Sequence, residues 1–213
     1  MTGLLAFLFV VTAVVSYLLG GINGSIIISK YIYRKDIRNF GSGNPGLTNF
    51  YRVFGKGGVL LVIVIDILKN AAPVFVGGWL IGSVSDYGLL GRELAGLFAM
   101  LGNALPVYYG FRGGKGVMAM GTIVFFIDWR IALADWGAFL VLLFLTRYVS
   151  LSAIIGVATF PLMIGLLGLG GIWELLIAIA CAGFLIIRHR ENIKRLVNGT
   201  ESKFSMHRKK DFF

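Results

Sequence analysis

Reactive and acidic side chains are scarce in this chain of 213 residues, which has one Cys, two His, four Pro and ten Asp plus Glu. A single Cys excludes a disulfide framework, and no Cys or His cluster offers metal-ligand spacing, so no metal site is expected. Neither histidine, His189 or His207, has an Asp five places on, so a His-x4-Asp acid–base pair is absent. No Ser stands in a Gly-x-Ser-x-Gly elbow, which disfavours a serine hydrolase. Charge is scarce too: 14% of residues are charged, where soluble domains carry about 25%.

Apolar residues fill the gap. They make up 57% of the chain, and mean hydropathy is +0.84. A hydrocarbon core of about 30 Å takes about 20 apolar residues in a helix. Seven stretches qualify or nearly so: 3–29, 57–81, 89–109, 117–127, 131–146, 151–169 and 172–187. The fourth is too short to cross unaided and must tilt, extend into the preceding turn or re-enter. The expected architecture is an all-α polytopic membrane helix bundle of seven transmembrane helices, or six if the fourth stretch re-enters. It forms a single domain over 1–213 with a basic tail over 188–213.

Twenty Lys and Arg against ten acidic residues give a net charge of +10. With the N-terminus outside, 17 of the cations fall in three loops and the tail, and two, Arg92 and Arg130, fall on the opposite side. That bias predicts a cytoplasmic C-terminus and an odd number of crossings. The start of the chain lacks a positive n-region, so no cleaved signal is expected. In so apolar a chain the excess charge suits anionic substrates and lipid before nucleic acid.

The polar interruption Gly20-Gly21-Ile22-Asn23-Gly24-Ser25 in the first stretch reads as a helix break, tolerated where backbone lines a cavity. Asp66 and Lys69, three apart inside the second stretch, share a helix face and are expected to pair. Asp135 and Glu174 lie near outer helix ends and read as interfacial. Cys181, mid-stretch without a neighbouring base, reads as inert.

The loops on the basic side carry the chemistry. Residues 41–52 read Gly-Ser-Gly-Asn-Pro-Gly-Leu-Thr-Asn-Phe-Tyr-Arg, a turn-rich segment whose amides and hydroxyls can converge on an anion, with Arg52 adding a bidentate contact. Residues 110–116 read Gly-Phe-Arg-Gly-Gly-Lys-Gly. This is not a nucleotide-binding P-loop, because Tyr109 and Gly116 stand where that pattern needs Gly and Ser or Thr. Two cations among glycines ahead of a helix still favour an anion. Arg147-Tyr148-Val149-Ser150-Leu151-Ser152 and the stretch from Arg188-His189-Arg190 through Asn192 to Gly199-Thr200-Glu201 complete this side. A transporter for an anionic solute would also use basic loops and a broken helix. It needs access from both faces, whereas here the polar motifs gather on one.

Taken together, these motifs resemble the bacterial membrane family of acyl-phosphate:glycerol-3-phosphate acyltransferases, over nearly the whole chain. The residues that carry the resemblance are 41–49 with Arg52, Asp66-Ile67-Leu68-Lys69, Pro106-Val107, 111–117, 147–152, 189–195 and 199–201. Asn103 stands where the family usually has His, Arg112 where it often has Lys, and Asn23 where it tends to Pro. Asn cannot accept a proton near neutral pH.

The resemblance implies transfer of a fatty acyl group from acyl phosphate to the 1-hydroxyl of glycerol 3-phosphate, giving lysophosphatidic acid and phosphate. It implies no acyl-CoA and no cofactor, a multi-pass protein of the inner membrane with a cytoplasmic active site, and coupling to an acyl-phosphate-producing enzyme. A monomer is expected. The catalytic candidates are His189, Ser42 and Lys115, and the base is His189, Asp66 or the substrate phosphate itself. Candidates for phosphate binding are Ser42, Gly43, Asn44, Asn49, Arg52, Arg112, Gly113, Gly114, Lys115, Gly116, Ser150, His189 and Asn192. Asp66, Lys69, Arg147 and Glu201 are expected to position them.

Overall fold

The computed structural model describes residues 2–205; the end of the basic tail, with His207, Arg208, Lys209 and Lys210, lies outside them. The described residues form helices and connecting turns. In order the helices are α1 (Thr2–Gly20), α2 (Gly24–Tyr31), α3 (Leu47–Phe54), α4 (Val59–Gly82), α5 (Gly88–Ala104), α6 (Val117–Ile127), α7 (Trp129–Thr146), α8 (Val149–Leu167), α9 (Ile172–Arg188) and α10 (Arg190–Val197). Short 3-10 turns cover Ile37–Asn39 and Val107–Tyr109.

Four helical segments are long and apolar enough to cross a membrane, with α1 and α2 counted together, and a fifth qualifies if α9 and α10, bent by 59°, are one span. At 17 residues α5 falls just short of that length, and α6 with 11 falls well short. The expected third stretch, 89–109, is not all one α-helix: α5 stops at Ala104, and a 3-10 turn follows Pro106.

The break in the first stretch occurs where the polar residues predicted it. Asn23 caps α2 by accepting from the Ile26 N–H (2.9 Å), and its amide donates to the Pro45 carbonyl (3.1 Å). The Ile22 carbonyl, released by the break, accepts from Lys69 Nζ (2.6 Å). Lys69 also donates to Asn103 Oδ1 (2.7 Å) and pairs with Asp66 (3.0 Å). One buried cation thus ties α4 to the break and to the end of α5. It satisfies a carbonyl that would be costly to leave unbonded.

Helices α1 and α5 pack closely because of glycine. A side chain at Gly102 would strike the Tyr17 carbonyl, and one at Gly20 the backbone of Ala99. Small residues at such crossings are how helices gain contact without a solvent-driven collapse. The main core runs through α4, α5, α6, α7, α8 and α9, around Val74, Met100, Ile123 and Phe160. A second core, Ile26, Ile37, Phe50, Val53, Phe54 and Val62, lies under the first basic loop and holds α3 in place.

Two expectations fail here. Asp135 and Glu174 are buried, at 6% and 7% exposure, not interfacial. Glu174 turns back to accept from the Gly171 N–H (2.7 Å) and caps α9, which relieves its burial.

Candidate active site

A cavity of about 310 Å³ opens between α3, α6, α7, α8 and the α9–α10 bend. Its polar end is lined by Ser42, Asn44, Arg52, Lys115, Ser150, His189, Asn192 and Glu201. Its other end, between α6 and α7, is lined by Val117, Met118, Gly121, Trp136 and Phe139. A wider basin of about 990 Å³ adjoins it, bordered by Arg38, Gly43, Arg112, Gly113 and Glu191. Ser42, Asn44, Pro45, Lys115, Arg195 and Ser202 line both, so the two meet at those side chains.

The 41–46 loop is built by residues of positive φ, Gly41 (60°) and Gly43 (71°), which a side chain would strain. Two of its amides turn inward, where the composition suggests that they converge outward. The Ser42 N–H donates to Asn49 Oδ1 (3.0 Å), and the Gly43 N–H donates to the Phe40 carbonyl (3.0 Å). Asn49 also donates to Phe40 O (3.0 Å), so this buried amide holds the loop at both its ends. It acts as a brace within the loop, which leaves the hydroxyl of Ser42 and the amide of Asn44 to meet a ligand.

The second loop repeats that economy. The N–H groups of Gly113 and Gly114 donate to the Ala104 (3.2 Å) and Asn103 (3.0 Å) carbonyls at the end of α5. A side chain at Gly113 would meet the Asn103 carbonyl, which explains the glycine by close approach. Gly116, with φ of 92°, turns the chain into α6 and leaves Lys115 directed at the junction of the two cavities.

On the third side, Glu201 organises the donors. It accepts from Ser150 Oγ (2.7 Å), Asn192 Nδ2 (2.7 Å) and Arg195 Nε (2.7 Å). Burial works against its charge, but these three donors outweigh that and hold the carboxyl below its ordinary range. Ser150 and Asn192, expected as phosphate donors, are therefore committed to Glu201, and Asn192 also accepts from Lys115 Nζ. Arg147 takes part through its backbone: at φ of 62° it ends α7, and its carbonyl accepts from the Phe204 N–H (2.7 Å).

Lys115 is half-buried; desolvation and the nearby Arg195 push its pKa down to about 8, against a pull upward from Glu201. His189 sits at the α9–α10 bend with 2% exposure, and desolvation is the main cause that pushes it down to about 4. Neutral at pH 7, its ring lies with Nδ1 2.8 Å from the Leu185 carbonyl. That carbonyl can only accept, which places the ring proton on Nδ1 and the lone pair on Nε2. The guanidinium groups of Arg52 and Arg112, by contrast, have no hydrogen-bond or ionic partner among the described residues. The site thus combines two held cations, Lys115 and Arg195, two free ones and a neutral acceptor beside an apolar slot. Such a set can hold phosphate groups, offset their repulsion and place an alkyl chain next to them.

Most of the expected residues come together here; Lys69 and Arg147 stand behind the site as supports. Arg195, Asn103, Asp135, Trp136, Phe139, Ser202 and Phe204 line the cavity without having been anticipated there. Arg195 was visible in the basic tail. Asn103 was marked by the family's His at that position; the others had no signal, since an Asp or Trp on a helix does not say which neighbour it faces.

A family model for glycerol-3-phosphate acyltransferase matches residues 10–199. A glycerol-3-phosphate acyltransferase of Thermoanaerobacter pseudethanolicus is 37% identical over 198 residues, covering 91% of this chain and 94% of the relative. One from Listeria monocytogenes is 40% identical over 195 residues, covering 91% and 96%. Among solved structures, PlsY (YgiH), an integral membrane glycerol 3-phosphate acyltransferase, matches in its glycerol 3-phosphate form with a TM-score of 0.82 at 35% identity, covering 92% of this chain and 96% of that one. Its lysophosphatidic acid form matches with a TM-score of 0.80 at 33% identity, covering 93% and 96%. The chain belongs to the glycerol-3-phosphate acyltransferase family, whose enzymes serve phospholipid synthesis.

Proposed function

We propose that this enzyme transfers a fatty acyl group from acyl phosphate to the 1-hydroxyl of glycerol 3-phosphate at the cytoplasmic face of the inner membrane, with seven crossings and the N-terminus outside. The observation that carries the reading is the junction of the two cavities. Ser42, Asn44 and Lys115 border both the open cationic basin and the cavity that runs on into an apolar slot. An amphiphilic donor lies across such a junction with its chain in the slot, while a small anionic acceptor enters from the basin. The relatives named glycerol-3-phosphate acyltransferases and the PlsY forms with glycerol 3-phosphate and lysophosphatidic acid support the acceptor and the product.

A mixed-anhydride donor suits this site. It expels phosphate without needing a proton, and among the described residues the carboxyl at the polar end, Glu201, is held ionised by three donors. The acceptor's hydroxyl oxygen attacks the acyl carbonyl carbon, and the bond from that carbon to the phosphate oxygen then breaks. Lys115, with the Ser42 hydroxyl, offsets charge on the carbonyl oxygen and the departing phosphate, while Arg52 and Arg112 draw the two phosphates together. His189, held neutral and well below neutral pH, is a weak base whose Nε2 can accept the hydroxyl's hydrogen bond. The proton then passes to the phosphate of glycerol 3-phosphate, whose pKa near 6 suits the task.

The test is the pH profile of kcat/KM. This route expects an acid limb near 6 that persists in His189→Ala. Loss of that limb in the variant, with binding intact, would assign the base to His189 instead.

A further inference from the structure

Asp135 is unlike the other carboxylates that line the cavity. Asp66 is paired with Lys69, and Glu201 accepts from three donors. Asp135, at 6% exposure, has no hydrogen-bond or ionic partner among the described residues. It lies between Trp136 and Gly156, where a side chain added to the glycine would come within 3.4 Å of its Oδ1. Trp136 in turn donates its indole N–H to the Gly121 carbonyl (2.8 Å) on α6. The carboxyl therefore borders the apolar slot itself, well away from the phosphate-binding end. From Ser150 to Gly156 along α8 is six residues, or about 9 Å at the rise of an α-helix.

A buried carboxyl without a hydrogen-bond partner is costly, and an occupant that donates a hydrogen bond to it removes the cost. The neighbouring walls of the slot, Val117, Met118, Trp136 and Phe139, are rings and aliphatic groups, which suit an alkyl chain carrying a neutral donor. Building on the donor assignment above, we infer that Asp135 selects acyl donors carrying a hydroxyl part-way along the chain. The hydroxyl donates to the carboxyl, and the remaining alkyl surface packs on Trp136 and Phe139. Its place on the chain is several carbons below the carbonyl, set by the roughly 9 Å between Asp135 and the donor cluster.

The experiment compares purified wild type, Asp135→Asn and Asp135→Leu with stearoyl donors that are plain or hydroxylated at carbon 3, 7, 10 or 12. Each chain is offered both as the phosphate and as the CoA thioester, with glycerol 3-phosphate as acceptor. Wild type is expected to favour a mid-chain hydroxyl, at carbon 7 or 10, over the plain chain by about tenfold in kcat/KM. Asp135→Asn should keep part of that preference, and Asp135→Leu should abolish it or reverse it towards the plain chain. Equal use of all chains by wild type would overturn the inference, and so would a preference that survives Asp135→Leu. A rise in KM for glycerol 3-phosphate with no change in chain preference would overturn it as well, by placing the carboxyl on the acceptor. Turnover of the thioesters alone would sink the acyl-phosphate reading separately, since the chain preference is read with either leaving group.

Discussion

The two ends of the cavity are built by opposite means. At the polar end a network of protein groups holds the site: Glu201 gathers Ser150, Asn192 and Arg195, Asn49 fixes the loop over Ser42, and Asn192 holds Lys115, while the guanidinium groups of Arg52 and Arg112 stay free. At the slot, contact is made by shape, with Gly121 leaving room for the Trp136 ring. Oriented dipoles stabilise developing charge without reorganising during the reaction, whereas an apolar wall distinguishes chains only weakly, by about 1–3 kcal/mol per methylene. The polar end should therefore set the rate, and the slot should set the choice of chain.

Removing a cation at the polar end is the severest way to break that division. Lys115→Ala or Arg52→Ala should lower kcat/KM with acyl phosphate by about 10²–10³-fold, measured by phosphate release from folded protein. The support behind the site comes next. Lys69→Met leaves Asp66 unpaired and the Ile22 carbonyl unbonded, and should cost about 3–5 kcal/mol in detergent unfolding. A smaller effect sharpens the contrast by pH. Lys115, with its pKa near 8, is charged below that value and loses its charge as pH rises through it, so KM for the phosphate substrates should climb above pH 8. In Lys115→Arg that rise should be absent, because guanidinium keeps its charge. His189→Ala should cost less than about tenfold if the substrate phosphate takes the proton, well under the 10²–10⁴ of a true general base. The smallest change belongs to the slot: Gly121→Leu, which crowds Trp136, should shift preference a few-fold towards shorter chains and leave KM for glycerol 3-phosphate unchanged.

The sequence made the polar motifs legible because their residue types are costly in an apolar chain. Asn23 at a helix break, Asp66 with Lys69, and the glycine-rich loops all stand out on composition and spacing alone. What those glycines do was not legible. Their number suggests amides turned towards an anion, but Gly43, Gly113 and Gly114 turn theirs inward to carbonyls of the chain. Backbone direction depends on φ and ψ, which composition does not specify. Asp135 was misread for a related reason. Its place near a helix end suggested an interface, and only the packing of α7 against α6 and α8 shows that it faces a slot.

Acyl phosphate as the donor is the central claim, and one assay addresses it directly. Purified protein in lipid mesophase is given palmitoyl phosphate and glycerol 3-phosphate, and phosphate and lipid products are followed; parallel reactions contain palmitoyl-CoA or lack the acceptor. The expected result is phosphate release that requires both substrates and yields one lysophosphatidic acid per phosphate, with no turnover of the thioester. Lysophosphatidic acid formed from palmitoyl-CoA, with palmitoyl phosphate left intact, would contradict it.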